Sequence, residues 1–230
     1  MLNSSFLSTY QNLHYSLSTR ADGDFKKNII NETYYFKKRR VPKSRVVLAG
    51  TVHGSNVKIV NGISSPKIAN VDGLITQMPS LFLGVSVADC LPVYFYDPIK
   101  KVCGIAHAGR KGLIRGILQT MVNAFRQACD VNPASLVVFI GPGIEACHYQ
   151  VGEAVAKTLP SAFLRSNQRS HFADLKSFAR FNLIEAGVPT HSIEVSDICT
   201  HCHPNLHSFR RDKTNPIQSM LALIGLYETF

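Results

Sequence analysis

The chain has no apolar stretch long enough to cross a bilayer. Its longest uncharged apolar run, Gly73 to Val87, is broken by Gln77, Pro79 and Ser80 and falls short of the roughly 20 residues a spanning helix needs. No basic start followed by an apolar block opens the sequence, so no secretory signal is visible and the expected compartment is the cytoplasm. Acidic residues are scarce: 15 Asp plus Glu face 25 Lys plus Arg, which leaves a net charge of +10. No repeat of fixed short period appears, and the composition is not that of a disordered tail, a collagen or a coiled coil. No Gly-Lys-Ser or Gly-Lys-Thr occurs, so there is no Walker A loop, and no glycine spacing fits a dinucleotide fingerprint.

What is present describes an ordinary globular protein. The 230 residues are 45% apolar and 17% charged, enough to bury a substantial core. The positive balance calls for an anionic partner: nucleic acid, a membrane surface or a phosphorylated small molecule. The densest basic run is Lys37-Lys38-Arg39-Arg40 with Lys43 and Arg45. It reads as a solvated helix end and loop. A nucleic-acid arm would need aromatic or groove-reading partners that are not seen beside it, so nucleic acid is disfavoured as a partner.

Residues 1–24 are polar and poorly periodic, with a loop at 18–24. A helix is predicted over Asn28 to Lys38. Strands are predicted at Arg45–Gly50, within Thr51–Val60, and at Leu81–Val87, Pro92–Tyr96, Lys101–His107, Leu136–Ile140 and Ile193–Ile198. Ile114, Ile117, Leu118, Met121, Val122 and Phe125 recur at three- and four-residue steps and predict one amphipathic helix. Further helices are predicted at Gly152–Leu159 and Asp174–Ala186, the second stopped by Gly187. Ser219–Tyr227 reads as a last buried segment. The alternation gives an α/β or mixed α+β fold.

Three soft metal ligands stand at the ends of predicted strands: His53, Cys90 and His107. Two imidazoles and a thiolate are a competent zinc set with a fourth position open for water or substrate. The same residues also support a metal-free reading, with Cys90 as nucleophile and His107 as its base. Asp89 orients a histidine or caps a turn. Gly109-Arg110-Lys111-Gly112 lies between a strand and a helix and would suit an anion. Cys199, Cys202, His203 and His207 form the densest soft-ligand run. A zinc finger needs about a dozen residues between its ligand pairs, and here the pairs abut. Secondary metal binding and a plain site-facing loop both remain open for this run. Arg210 and Arg211 contact a phosphate or face solvent.

Taken in series, these segments resemble a family. Thr51-Val52-His53-Gly54-Ser55-Asn56-Val57, Ala88-Asp89-Cys90-Leu91-Pro92-Val93, His107-Ala108-Gly109, Ile140-Gly141-Pro142-Gly143-Ile144 with Cys147-His148-Tyr149, and Ser208-Phe209-Arg210-Arg211-Asp212 look like the YfiH family. It is also called the multicopper polyphenol oxidase, or laccase, domain family. The resemblance runs from about Ser18 to the C-terminus, so residues 1–230 are expected to form one such domain with its core at about 18–230. It implies a four-layer α/β/β/α fold with mixed sheets, similar to the cytotoxic necrotizing factor cysteine hydrolases. It implies zinc on His53, Cys90 and His107, which would then be the catalytic residues. It implies purine nucleoside and phosphate as substrates: phosphorolysis of adenosine, inosine, guanosine or methylthioadenosine, and adenosine deamination. An older assignment of the family is copper-dependent phenol oxidation, with copper as the alternative metal. That needs several His-x-His pairs, and only His201-x-His203 is present. Candidate phosphate ligands are Lys111, Arg20, Arg210 and Arg211. The sequence departs from the family at Arg110-Lys111, where Trp-Arg is usual, at Cys147-His148, where Cys-Cys is usual, and at Thr214-Asn215-Pro216, where Thr-Gly-Arg is usual.

Overall fold

The strand Leu91–Asp97 is buried at every residue. Its side chains alternate between two cores, so it must lie inside a sheet covered on both faces. A computed structural model, which describes residues 4–25, 35–166 and 170–228, places it there. Strands are numbered along the chain: β1 (Leu13–Leu17), β2 (Val46–Gly50), β3 (Val57–Ile59), β4 (Lys67–Ala69), β5 (Gly73–Thr76), β6 (Phe82–Val87) and β7 (Leu91–Asp97). They continue as β8 (Val102–Ala108), β9 (Val137–Ile140), β10 (Gln150–Val151), β11 (Leu164–Ser166), β12 (His171–Ala173), β13 (Ile193–Val195) and β14 (Met220–Leu226).

Two mixed sheets lie face to face. One has five strands in the order β1-β14-β6-β2-β4. The other has six in the order β13-β9-β7-β8-β5-β3. A small antiparallel sheet, β10-β12-β11, flanks them. Along β7, Tyr94 and Tyr96 join Leu83, Val85, Ile105 and Ile224 in the core between the two sheets. Leu91, Val93 and Phe95 point the other way, onto the helices. Those helices are α1 (Arg110–Ile114), α2 (Ile117–Cys129), α3 (Glu153–Ala156) and α4 (Leu175–Glu185), followed by the short α5 (Phe209–Asp212). Over the outer face of the five-stranded sheet, Tyr35, Phe36 and Val41 pack on Phe82, Leu221 and Leu223. Residues 35–38 are helical. The order helix, sheet, sheet, helix is the four-layer mixed arrangement that the family resemblance implies.

Strand and helix ends differ from the sequence reading by a few residues, with three instructive differences. The amphipathic helix does not begin at Ile114. Gly116 takes a φ of 80° and separates α1 from α2, and Ile114 is left 40% exposed. Residues 28–34 of the predicted N-terminal helix lie outside the described residues. Finally, residues 13–17, read as aperiodic, form β1 and pair with β14 along five residues. Ser16 is buried there with its hydroxyl on Tyr35 Oη at 3.0 Å. A polar residue can be buried when its hydrogen bond is made internally, and hydrophobic periodicity does not see it.

Candidate functional site

Asp72 organises the first part of the site. It is fully buried and lies just before β5. Its carboxylate accepts N–H bonds from Val52, His53 and Gly54 at 2.8–3.3 Å. These bonds hold His53 at a φ of 59°, a conformation uncommon for a residue with a side chain. The same carboxylate meets His107 Nδ1 at 3.1 Å. With Nδ1 engaged, Nε2 of His107 is left for the site. Burial works against ionisation of Asp72, but the His107 contact and the backbone donors hold its carboxyl below the usual range.

His53, Cys90 and His107 converge. One ligand atom from each lies within 4.8 Å of the other two, and the two imidazole rings meet edge to face with centroids 4.8 Å apart. His107 is at the end of β8, Cys90 precedes β7, and His53 sits in the loop after β2. Gly109 lets them close up, because a Cβ there would stand 2.6 Å from Cys90 Sγ. Burial pushes the Cys90 thiol up, but the charge and hydrogen bond of His107, helped by His53, carry it down to about 6. Burial pushes His107 down, but the Cys90 thiolate and Asp72 lift it to about 9. This donor set fits zinc: a low-pKa thiolate, two imidazoles, a carboxylate behind one imidazole, and an open side facing a cavity.

The cavity has a volume of about 740 Å³, and His53, Cys90 and His107 line it. Arg110, Lys111 and Arg210 line it as well, as do Tyr149 and Phe209. Arg210 lies 5.2 Å from the centre of the Tyr149 ring and donates to Gln150 O at 2.7 Å. Two of the candidate phosphate ligands are engaged elsewhere. Arg20 pairs with Asp212 and donates to Leu206 O. Arg211 fills its fork with the carbonyls of Thr200, His201, His203 and Leu206, and with Asp212. Neither lines the cavity; the cations that do are Lys67, Arg110, Lys111 and Arg210.

Asp89 orients no histidine. Its Oδ1 accepts from Thr200 Oγ1 at 2.6 Å, its Oδ2 accepts from Arg210 N at 2.7 Å, and its carbonyl accepts from Ile144 N at 2.9 Å. It ties three loops together beside Cys90 and holds a φ of 80° in doing so. Asp72 went unrecognised at the sequence level. Its only signal is an acidic residue at the mouth of a short buried strand, which resembles any turn-former.

No helix of the described residues is long and apolar enough to cross a membrane. The family model described as multi-copper polyphenol oxidoreductase laccase matches residues 7–227. The chain is 37% identical over 165 residues to a protein named purine nucleoside phosphorylase YlmD from Bacillus subtilis (strain 168), a match spanning 68% of this chain and 59% of that protein. It is 33% identical over 229 residues to the protein of the same name from Geobacillus stearothermophilus, over 90% of this chain and 81% of that one. The crystal structure of the hypothetical protein YfiH from Bacillus licheniformis superposes with a TM-score of 0.86 at 29% identity, covering 93% of this chain and 92% of that one. The family-model match over residues 7–227, the 33% identity across 90% of the chain and the superposed fold show that the chain belongs to the YfiH, or multi-copper polyphenol oxidoreductase laccase, family.

Proposed function

We propose that the chain is a zinc-dependent purine nucleoside phosphorylase of the cytoplasm, with adenosine deamination as a second reaction of the same pocket. The observation that carries this reading is the convergence of His53, Cys90 and His107 within 4.8 Å in a cavity edged by Arg110, Lys111 and Arg210. The substrate class comes from the relatives named purine nucleoside phosphorylase. His53, Cys90 and His107 would hold the ion, and when bound it supplies Lewis-acid polarisation of a water or substrate oxygen.

The protein's own groups account for the rest. Arg110, Lys111 and Arg210 bind and orient phosphate, placing an oxygen against the ribose carbon that carries the base. That oxygen–carbon bond forms as the carbon–nitrogen bond breaks, and the electron pair leaves with the purine. Tyr149 and Phe209 supply flat apolar faces for a base. Asp72 keeps His107 in one orientation throughout.

The test is chromatographic. Adenosine, inosine, guanosine and methylthioadenosine are incubated with and without phosphate, using wild type and the alanine variants of His53, Cys90 and His107. Phosphate-dependent release of free base, lost in each variant together with the one ion held by His53, Cys90 and His107, is expected. Full retention of zinc and turnover in all three variants overturns the reading. Cys90, His107 and Asp72 also form a thiol–imidazole–carboxylate series, which supports a cysteine hydrolase as second reading. Activity that survives chelation but not alkylation would favour it. Copper-dependent phenol oxidation, the activity in the family description, requires several coppers per chain, which metal analysis counts directly.

A further inference from the structure

Three cysteines and a histidine from two distant segments meet outside the cavity. One segment is the turn after β9, which carries Cys147 and His148. The other is the loop after β13, which carries Cys199 and Cys202. One ligand atom from each of the four lies within 4.8 Å of the others. Cys147 Sγ is 3.6 Å from Cys199 Sγ and 3.8 Å from Cys202 Sγ. His148 Nδ1 is 3.2 Å from both Cys147 Sγ and Cys202 Sγ. All three cysteines are free thiols.

Ordinary zinc bond lengths put the edges of a tetrahedral site at about 3.8 Å between sulfurs and about 3.5 Å between sulfur and nitrogen. The four donors are already spaced to that scale. Disulfide sulfurs would sit at about 2.05 Å. The surroundings are also those of a metal site. The backbone of Glu145, Cys202 and His201 favours the thiolate form of Cys199, as outer partners do at thiolate ligands. His201 stacks on His148 with ring centroids 3.9 Å apart and planes 15° apart, which fixes the ring that presents Nδ1.

We infer that Cys147, His148, Cys199 and Cys202 form a second metal site, a closed three-sulfur, one-nitrogen site for zinc or a similarly thiophilic dication. Four protein donors leave no open position, so the site is structural. It staples the turn that carries Tyr149 to the loop that leads into Arg210, and both of those residues edge the cavity. It differs from a zinc finger in drawing its ligand pairs from segments about fifty residues apart in sequence, joined only by the fold. His203 and His207, the other half of the apparent motif, are not members.

The experiment is metal stoichiometry on the full chain purified without chelator. Elemental analysis of wild type is expected to give two zinc ions per chain. The His53→Ala/Cys90→Ser variant and the Cys199→Ser/Cys202→Ser variant should each keep one. If the first variant keeps one ion and wild type also holds one, the second site stands and the catalytic zinc falls. If the Cys199→Ser/Cys202→Ser variant does not fold, the His53→Ala/Cys90→Ser variant decides: one retained ion supports the second site and none overturns it. Cys147 and Cys202 are solvent-exposed, yet they should resist alkylation until a chelator strips the ion, as peptide mass mapping reads. Cobalt substitution of the His53→Ala/Cys90→Ser variant should give the intense charge-transfer band of three thiolates. Wild-type metal content in the Cys199→Ser/Cys202→Ser variant, free alkylation of Cys147 and Cys202 before chelation, or a disulfide among the three sulfurs would each overturn the inference.

Discussion

Asp72 carries more of the site than any single ligand does. It shapes the His53 loop through three backbone bonds and fixes His107 through Nδ1. Replacing it by asparagine keeps the volume but removes the charge, and puts an amide donor where several donors already converge. Zinc affinity in the Asp72→Asn variant is expected to fall by about 10- to 100-fold, the usual cost of losing an outer partner, as competition with a chromophoric chelator will measure. Unchanged affinity would mean that the carboxylate serves only the loop. His53, Cys90 and His107 were visible in the sequence because strand ends and soft ligands are both local properties. Asp72 was not, because its value lies in what it touches. The same limit explains Arg20 and Arg211. A sequence counts cations but does not reveal which are already engaged by Asp212 and by backbone carbonyls.

Among the elements, β1 shows how a polar strand is kept in a sheet. His14 on β1 packs edge-on against Phe82 and Tyr227, with Nε2 on Ser16 Oγ and Nδ1 on Tyr227 Oη. Burial, with Arg39 nearby, pulls its pKa from 6.5 to about 4. As pH falls below 6.5 the unfolded chain takes up the proton first. Stability is therefore full above 6.5, declines towards 4 and levels off below it. The loss assigned to this one group is on the order of 3 kcal/mol. Urea unfolding across that range should show the decline, and a His14→Gln variant should show a flatter profile. An identical pH dependence in both proteins would remove His14 as the cause. The long buried strands β6, β7, β8 and β9 were legible because apolar runs of that length admit few other readings. The pairing of Cys147 with Cys199 and Cys202 was not, since only the fold brings those two loops together.

Over the whole molecule, the +10 charge divides by location. Arg39 lies over the Tyr35 ring, 4.8 Å from its centre, and Arg45 donates to Ser80 O, so part of the basic 37–45 run braces structure. Arg110, Lys111 and Arg210 face the cavity. Phosphate affinity is expected to fall as salt is raised, because these partly solvated charges are screened. The dependence should be shallower in a Lys111→Ala variant, as titration calorimetry with inorganic phosphate at low and high sodium chloride will determine. Equal slopes would place the anion away from Lys111. The topology has a further consequence, for biosynthesis. β14 is the last strand among the described residues but the second in its sheet, hydrogen-bonded to β1 on one side and β6 on the other. Until a ribosome has released it, the growing polypeptide holds two unsatisfied strand edges apart, and a nascent chain cut short before Met220 would present both to any chaperone or neighbouring chain.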